Sequence, residues 1–328
     1  MSRWEEAATR VRQALGERVI GMEEVIEKVL LCILTGNHAL LVGVPGVAKT
    51  LLVSSLAELL DLSFARIQFT PDLMPSDITG AEVLVADAGG GGRHFRFLPG
   101  PVFANLILAD EINRTPPKTQ SALMEAMEER QVTSVGHRHA LPEPFFVLAT
   151  QNPIDMEGTY PLPAAQLDRF MFRIRVEYPD AETERLLARR VSRPDAQPLT
   201  PVLGKDELAA FRAEAAAVEA TPALQRKIVS FVRRTRPEEE GAPEFIREWI
   251  AFGASPRAAR ALIEGARARA LLHGRRHVQE EDVVELIPDV VRHRLVLNYH
   301  ATAEGIRAVD VVRRLIAHEF HTSPAQRA

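Results

Sequence analysis

Two residue pairs, Lys49–Thr50 and Asp110–Glu111, carry side chains suited to phosphoryl chemistry. Where a glycine-bearing turn enters a helix, a lysine ammonium can contact the β- and γ-phosphates of a nucleotide. A threonine hydroxyl beside it can bind Mg2+. Backbone N–H groups at such a helix start face the β-phosphate, where the helix dipole favours an anion. Asp110 and Glu111 end the apolar run "NLILADE". At the C-terminal edge of a buried strand, Asp110 can hold the Mg2+ shell and Glu111 can polarise the attacking water.

The phosphate stretch reads Gly43, Val44, Pro45, Gly46, Val47, Ala48, Lys49, Thr50, Leu51. It departs once from the pattern G-x-x-x-x-G-K-[ST], because Ala48 stands where glycine is expected. Glycine at that place serves either a positive φ or a close approach to phosphate. Alanine tolerates the second and resists the first, so a negative, helix-like φ is predicted at Ala48. The alternative for the whole stretch is a strand–turn–helix corner that happens to contain lysine. Adjacent carboxylates are also common in turns, although their position after a phosphate-loop pattern argues for chemistry.

Three further residues fit the same chemistry. Asn152 ends "FFVLATQNP", where a neutral amide could orient water or touch the γ-phosphate; a turn-initiating Asn-Pro is the alternative. Arg169 lies in "AAQLDRFMF", between a helix-like and a strand-like piece, where an inter-strand salt bridge would also suit it. Arg257 in "GASPRAAR" falls at the second or third residue of a helix. A cation there opposes the helix dipole by ~0.3–1 kcal/mol, which suggests a nearby anion unless the side chain is simply solvated.

The elements that must position these groups alternate. Residues 23–35 have helical apolar spacing, "HALLVGV" reads as a buried strand, and "TLLVSSLAELLDL" as a helix. "FARIQFT", "NLILADE" and "FFVLATQNP" read as further buried strands, with helix-like "TQSALMEAMEER" between the last two. The pattern is α/β, with a parallel sheet covered on both faces. Residues 80–97 and 131–147 break the rhythm as two inserted hairpins or, alternatively, solvated glycine-bearing loops. From about residue 181 the chain turns Arg- and Ala-rich without a strand signal. Thr221-Pro222 and Ser255-Pro256 mark helix starts. A nucleotide-binding domain is expected over residues 1–192, a proline-bearing linker over 192–204, and an all-α domain over 205–328.

The 328-residue chain is 46% hydrophobic and 26% charged with net charge −4, as expected of a globular protein of about two domains. That balance argues against a dedicated nucleic-acid surface. Cys32, the single cysteine, lies in an apolar run and reads as a buried thiol, so no internal disulfide is possible. No stretch reaches the ~18 uninterrupted apolar residues of a membrane span, and a cytoplasmic location is expected.

Assembled, these strings resemble the MoxR family of AAA+ ATPases: "VGVPGVAKT", "RIQFTPDLMPSDITG", "GPVFANLILADEINRTPPKTQSALMEAMEERQVT", "FFVLATQNPIDMEGTYPLPAAQLDRF" and "GASPRAARALIEGARARALL". The resemblance implies an AAA+ nucleotide domain with a helical lid, working as a homo-oligomeric ring, typically a hexamer, on ATP and Mg2+. It assigns Lys49 and Thr50 to the phosphate loop, Asp110 to the metal and Glu111 to water. Asn152 matches the first sensor and Arg257 the second, acting on its own or a neighbour's nucleotide. Arg169 matches an arginine finger reaching a neighbouring subunit. Val19 and Ile20 match the segment packing on adenine. MoxR-like proteins also tend to carry alanine where Ala48 stands.

The function implied is a chaperone that matures client proteins, often by inserting a metal cofactor, with a separate von Willebrand factor A domain partner. His94, Phe95 or His137 of the hairpins would then move in the ring centre. A nucleic-acid motor is the rival reading, with only Arg93, Arg96 and Arg138 as basic hairpin groups. A nucleotide-binding scaffold without turnover is the other.

Overall fold

The computed structural model describes residues 3–16, 18–43, 48–86, 93–153, 158–190 and 199–320. Contacts divide the chain into two compact units. One comprises residues 9–162 and 174–208; the other comprises 1–8, 163–173 and 209–328. The division is discontinuous, whereas a boundary read along the sequence is a single cut.

The first unit is built on a five-stranded sheet. In chain order its elements begin with α1 (Arg3–Gly16, whose first turns belong to the other unit), α2 (Glu23–Thr35), β1 (Ala39–Gly43), α3 (Lys49–Leu59), β2 (Phe64–Gln68) and α4 (Pro75–Thr79). They continue with β3 (Gly80–Ala86), β4 (Arg93–Pro99), β5 (Leu106–Asp110), α5 (Pro117–Glu129), β6 (Gln131–Ser134), β7 (His137–Ala140) and β8 (Phe146–Gln151). After α6 (Ala164–Leu167), strand β9 (Phe172–Val176) completes the sheet, and α7 (Ala181–Arg190) follows.

Strand order is β2-β5-β8-β1-β9. The pairs β2/β5, β5/β8 and β1/β8 are parallel, with Gln68 opposite Asp110 and Leu41 opposite Thr150. The central strands are apolar on both faces because both are covered: Leu106, Ile107, Leu108, Val147, Leu148 and Ala149 are fully buried. Burying one such large aliphatic side chain stabilises by roughly 1.5–3 kcal/mol. Helix α2 stops where Gly36 turns left-handed at φ 75° and its N–H returns to Cys32 O and Ile33 O. Cys32 is buried, as expected.

Both inserted hairpins form. β3 pairs antiparallel with β4, and β6 with β7. Phe97 of the first stacks on His139 of the second, with ring centroids 3.8 Å apart and planes at 12°. The second turns at Val135 and Gly136, both left-handed at φ 46° and 81°.

The second unit is helical. It holds the α6 segment, α8 (Lys205–Ala217, entering this unit at Ala209), α9 (Pro222–Arg233), α10 (Glu244–Trp249), α11 (Pro256–Leu272), α12 (Glu280–Val291), α13 (Tyr299–Ala303) and α14 (Ala308–Glu319). Thr221 caps α9 by accepting the Leu224 N–H at 3.2 Å, and Ser255 caps α11, as the two sequence signals predict. The expectation of an all-α domain needs one correction. A short ribbon pairs β10 (Ile250–Phe252) with β11 (Val296–Leu297). Strands of three and two residues are too short to show a period-two pattern in sequence.

Candidate functional site

Because β1, β2, β5 and β8 run parallel, their C-terminal ends share one edge of the sheet. That edge receives Gly43 and then Lys49, Gln68, Asp110 and Glu111, and Thr150 to Asn152. Open α/β sheets bind ligands at this edge.

Helix α3 begins at Lys49, and Ala48 is its N-cap. Ala48 has φ 54° and ψ 23°, in the left-handed region, so the predicted negative φ is wrong. Ala48 takes this conformation directly before the first helical residue, despite the ~1–2 kcal/mol that an L side chain costs in that region. Left-handed residues beside helical ones turn successive N–H groups inward and form anion-binding concavities. Val44, Pro45, Gly46 and Val47 lie outside the described residues. Gly43 must be glycine for another reason: a Cβ on it would stand 2.3 Å from Val176 O.

Lys49 Nζ donates to Gly43 O at 2.8 Å, tying the helix start to the end of β1. Burial lowers the Lys49 pKa from its ordinary value, and the charges of Asp110 and Glu111 partly offset this. Thr50 is half-buried and Leu51 exposed on the same first turn.

Glu111 is left-handed as well, at φ 58° and ψ 48°. Three neighbours hold it. Its N–H donates to Thr150 Oγ1 at 2.8 Å, while its Oε2 accepts from Gln68 Nε2 at 3.1 Å and pairs with Arg114 Nε at 3.2 Å. Thr150 in turn donates to Asp110 Oδ1 at 2.6 Å. Arg66 donates to Asp110 Oδ2 at 2.7 Å. The loop after Glu111 is pinned by fully buried Gln120, whose Nε2 reaches Ile112 O at 3.2 Å and Thr115 O at 3.1 Å.

Asn152 follows β8 directly and is buried. Val19 is buried and Ile20 half-buried, so of the two only Ile20 keeps substantial accessible surface. Arg169 and Arg257 belong to the helical unit. Arg257 is the second residue of α11, and its Nη1 stands 3.9 Å from Asp168 Oδ2. The sequence reading missed Thr150, Gln68, Gln120, Arg66 and Arg114. Only Thr150 left a trace, as a hydroxyl in an otherwise apolar buried strand.

The donor set suits Mg2+: the Thr50 hydroxyl and one Asp110 carboxylate are hard oxygen ligands. Mg2+ is usually bound by one or two carboxylates together with phosphate oxygens. Among the described residues no group of three or more His, Cys, Asp or Glu could hold a metal on its own. No described helix is long and apolar enough to cross a membrane.

Residues 38–172 match the family model of the ATPase family associated with various cellular activities (AAA), and residues 244–315 match the AAA lid domain. The chain is 46% identical over 300 residues to Chaperone MoxR1 of Mycobacterium tuberculosis, covering 91% of this chain and 78% of that protein. It is 31% identical over 338 residues to Protein MoxR of Methylorubrum extorquens, covering 98% and 96%. A crystal structure of a provisionally assigned ATPase from Cytophaga hutchinsonii superposes with a TM-score of 0.88 at 43% identity, covering 96% of this chain and 94% of that one.

Proposed function

The chain belongs to the MoxR family of AAA+ ATPases, and from that premise we propose that it hydrolyses ATP to remodel client proteins. The observation that carries the reading is the cluster at the sheet edge. One Thr150 hydroxyl bonds both the Asp110 carboxylate and the Glu111 amide, and Lys49 holds the Gly43 carbonyl at the same sheet edge.

In this reading the N-terminus of α3 and Lys49 bind the phosphates. Mg2+ held by Thr50 and Asp110 would supply charge neutralisation on the phosphate oxygens. Glu111, oriented by Gln68 and Arg114, takes a proton from water as the water oxygen bonds the γ-phosphorus and ADP leaves. Asn152 orients that water from the neighbouring strand. Arg169 serves as an arginine finger to a neighbouring subunit, a role worth 10³–10⁵ in rate where such fingers act. A homo-oligomeric ring, taken as a hexamer, follows from that role.

The chaperone reading is supported by the name of the Mycobacterium relative. We propose that the cycle matures clients, including by metal-cofactor insertion, together with a separate von Willebrand factor A domain protein. The exposed hairpin groups Phe95, His94 and His137 would meet the client.

Glu111→Gln tests the proposal. It should retain ATP, abolish turnover and capture a protein client from lysate, while wild-type activity should rise with protein concentration. Absence of wild-type ATPase at every concentration would defeat the reading. Capture of nucleic acid without protein would replace the chaperone by a nucleic-acid motor.

A further inference from the structure

Asp168 directly precedes Arg169, and its carboxylate binds the residue that starts the helix bearing Arg257. It accepts from Ser255 Oγ at 3.0 and 2.8 Å, one distance to each oxygen, and from Arg294 Nε at 2.7 Å. Ser255 is the N-cap of α11, and its oxygen also accepts the Arg257 N–H at 3.1 Å. Arg257 Nη1 lies 3.9 Å from Asp168 Oδ2.

Both ends of this contact are held. On one side Arg294, buried at 3% side-chain exposure, donates to Asp168 O at 3.1 Å and Phe170 O at 2.7 Å. On the other, Ala254 N donates to Thr235 Oγ1 at 2.9 Å. Gly253 passes so close to Thr235 that a Cβ would stand 2.5 Å from its carbonyl oxygen. The string Gly253-Ala254-Ser255-Pro256-Arg257 thus reads as an anchor, a buried spacer, a cap that reaches Asp168, a helix-starting proline and the sensor arginine.

We infer that Asp168 is a positioning residue which, through Ser255 and Arg294, locks Arg169 and Arg257 into one body. The two arginines then respond to nucleotide together. The Arg294 contacts to backbone carbonyls hold the 168–170 segment from one side. The Ser255 bond holds it from the other and ties it to the start of the helix that bears Arg257. The inference rests on the ATPase reading, since that reading gives both arginines their roles.

Ser255→Gly isolates the link, because glycine is tolerated at an N-cap but has no hydroxyl. Ser255→Thr keeps the hydroxyl. Three quantities are compared in the full chain: amide exchange over residues 164–170, affinity for a fluorescent non-hydrolysable ATP analogue, and steady-state ATPase. In Ser255→Gly, exchange at 168–170 should accelerate and kcat should fall about 10- to 100-fold, the cost typical of misplacing a catalytic group by an ångström. Analogue affinity should stay within about threefold, and Ser255→Thr should restore exchange and kcat. Added to Arg169→Ala, Ser255→Gly should cause little further loss, as expected of residues acting as a unit.

Unchanged exchange and kcat in Ser255→Gly, or losses that multiply with those of Arg169→Ala, would overturn the inference. Exchange requires no turnover. A wild type without ATPase would therefore defeat the proposed function, while exchange still decides whether the tether exists.

Discussion

Thr150 and Asp110, on adjacent parallel strands, share a 2.6 Å hydrogen bond, and the same hydroxyl accepts the Glu111 N–H at 2.8 Å. Thr150→Val keeps the shape but leaves that N–H and one carboxylate oxygen without this partner. A buried group so orphaned costs about 1–3 kcal/mol. The variant should melt earlier and lose most ATPase activity, whereas Thr150→Ser should retain both. Differential scanning calorimetry and a coupled ATPase assay would show it.

Ala48 holds a left-handed conformation that glycine adopts without steric cost. Ala48→Gly should therefore stabilise the α/β unit by up to ~1 kcal/mol, after the entropy glycine loses on folding. Nucleotide binding should survive. A lower melting temperature for the glycine variant would count against the strain.

Gly43 leaves no room for a side chain beside Val176 O. In Gly43→Ala the β1–β9 contact must open just where the phosphate stretch begins. Overpacking of this kind costs about 1–3 kcal/mol, and ATP affinity should fall with it. Urea denaturation and nucleotide titration together would detect the change.

His38 is buried, its Nδ1 accepting the Val147 N–H at 2.9 Å and its Nε2 facing Met127 O at 3.3 Å. Burial, and then the Arg130 guanidinium, lower its pKa from 6.5 to about 3, against a smaller opposing effect of the Met127 carbonyl. The folded pKa is below the unfolded one, so the unfolded chain binds more protons between these values. The contribution is fully present above pH 6.5 and is lost progressively as pH falls towards 3. At pH 5 the loss is about 2 kcal/mol relative to neutral pH. Buried His293 shifts in the same direction in the helical unit. Urea melts at pH 7 and pH 5 should show the loss, and His38→Gln should reduce it to what His293 contributes.

Val135 is a β-branched residue at φ 46°, 76% exposed, in a two-residue turn with Gly136. Turns with two positive φ values favour asparagine before glycine. Val135→Asn should slow amide exchange across residues 131–140, by an amount corresponding to about 1 kcal/mol of relieved strain.

The sheet was legible because β1, β5 and β8 are buried on both faces and so read as continuous apolar runs. Lys49, Asp110 and Glu111 were legible because their positions at strand ends form a recognisable spacing. The residues that orient them were not, since Gln68, Arg66 and Thr150 meet the carboxylates only through parallel pairing of strands distant in sequence. Gln120 likewise belongs to a helix and acts on a loop several residues earlier. The left-handed φ of Ala48 was not legible, because alanine is a residue type whose side chain resists that region. The grouping of residues 163–173 with the helical unit was invisible because the Arg294 contacts join segments more than a hundred residues apart.

The bond from Lys49 to the Gly43 carbonyl takes one of the three ammonium hydrogens. The end of β1 and the start of α3 are thereby buttoned together by a side chain whose charge is not used up in doing so. Lys49 is in that sense a structural strut and a cation at once, and a substitution there removes both.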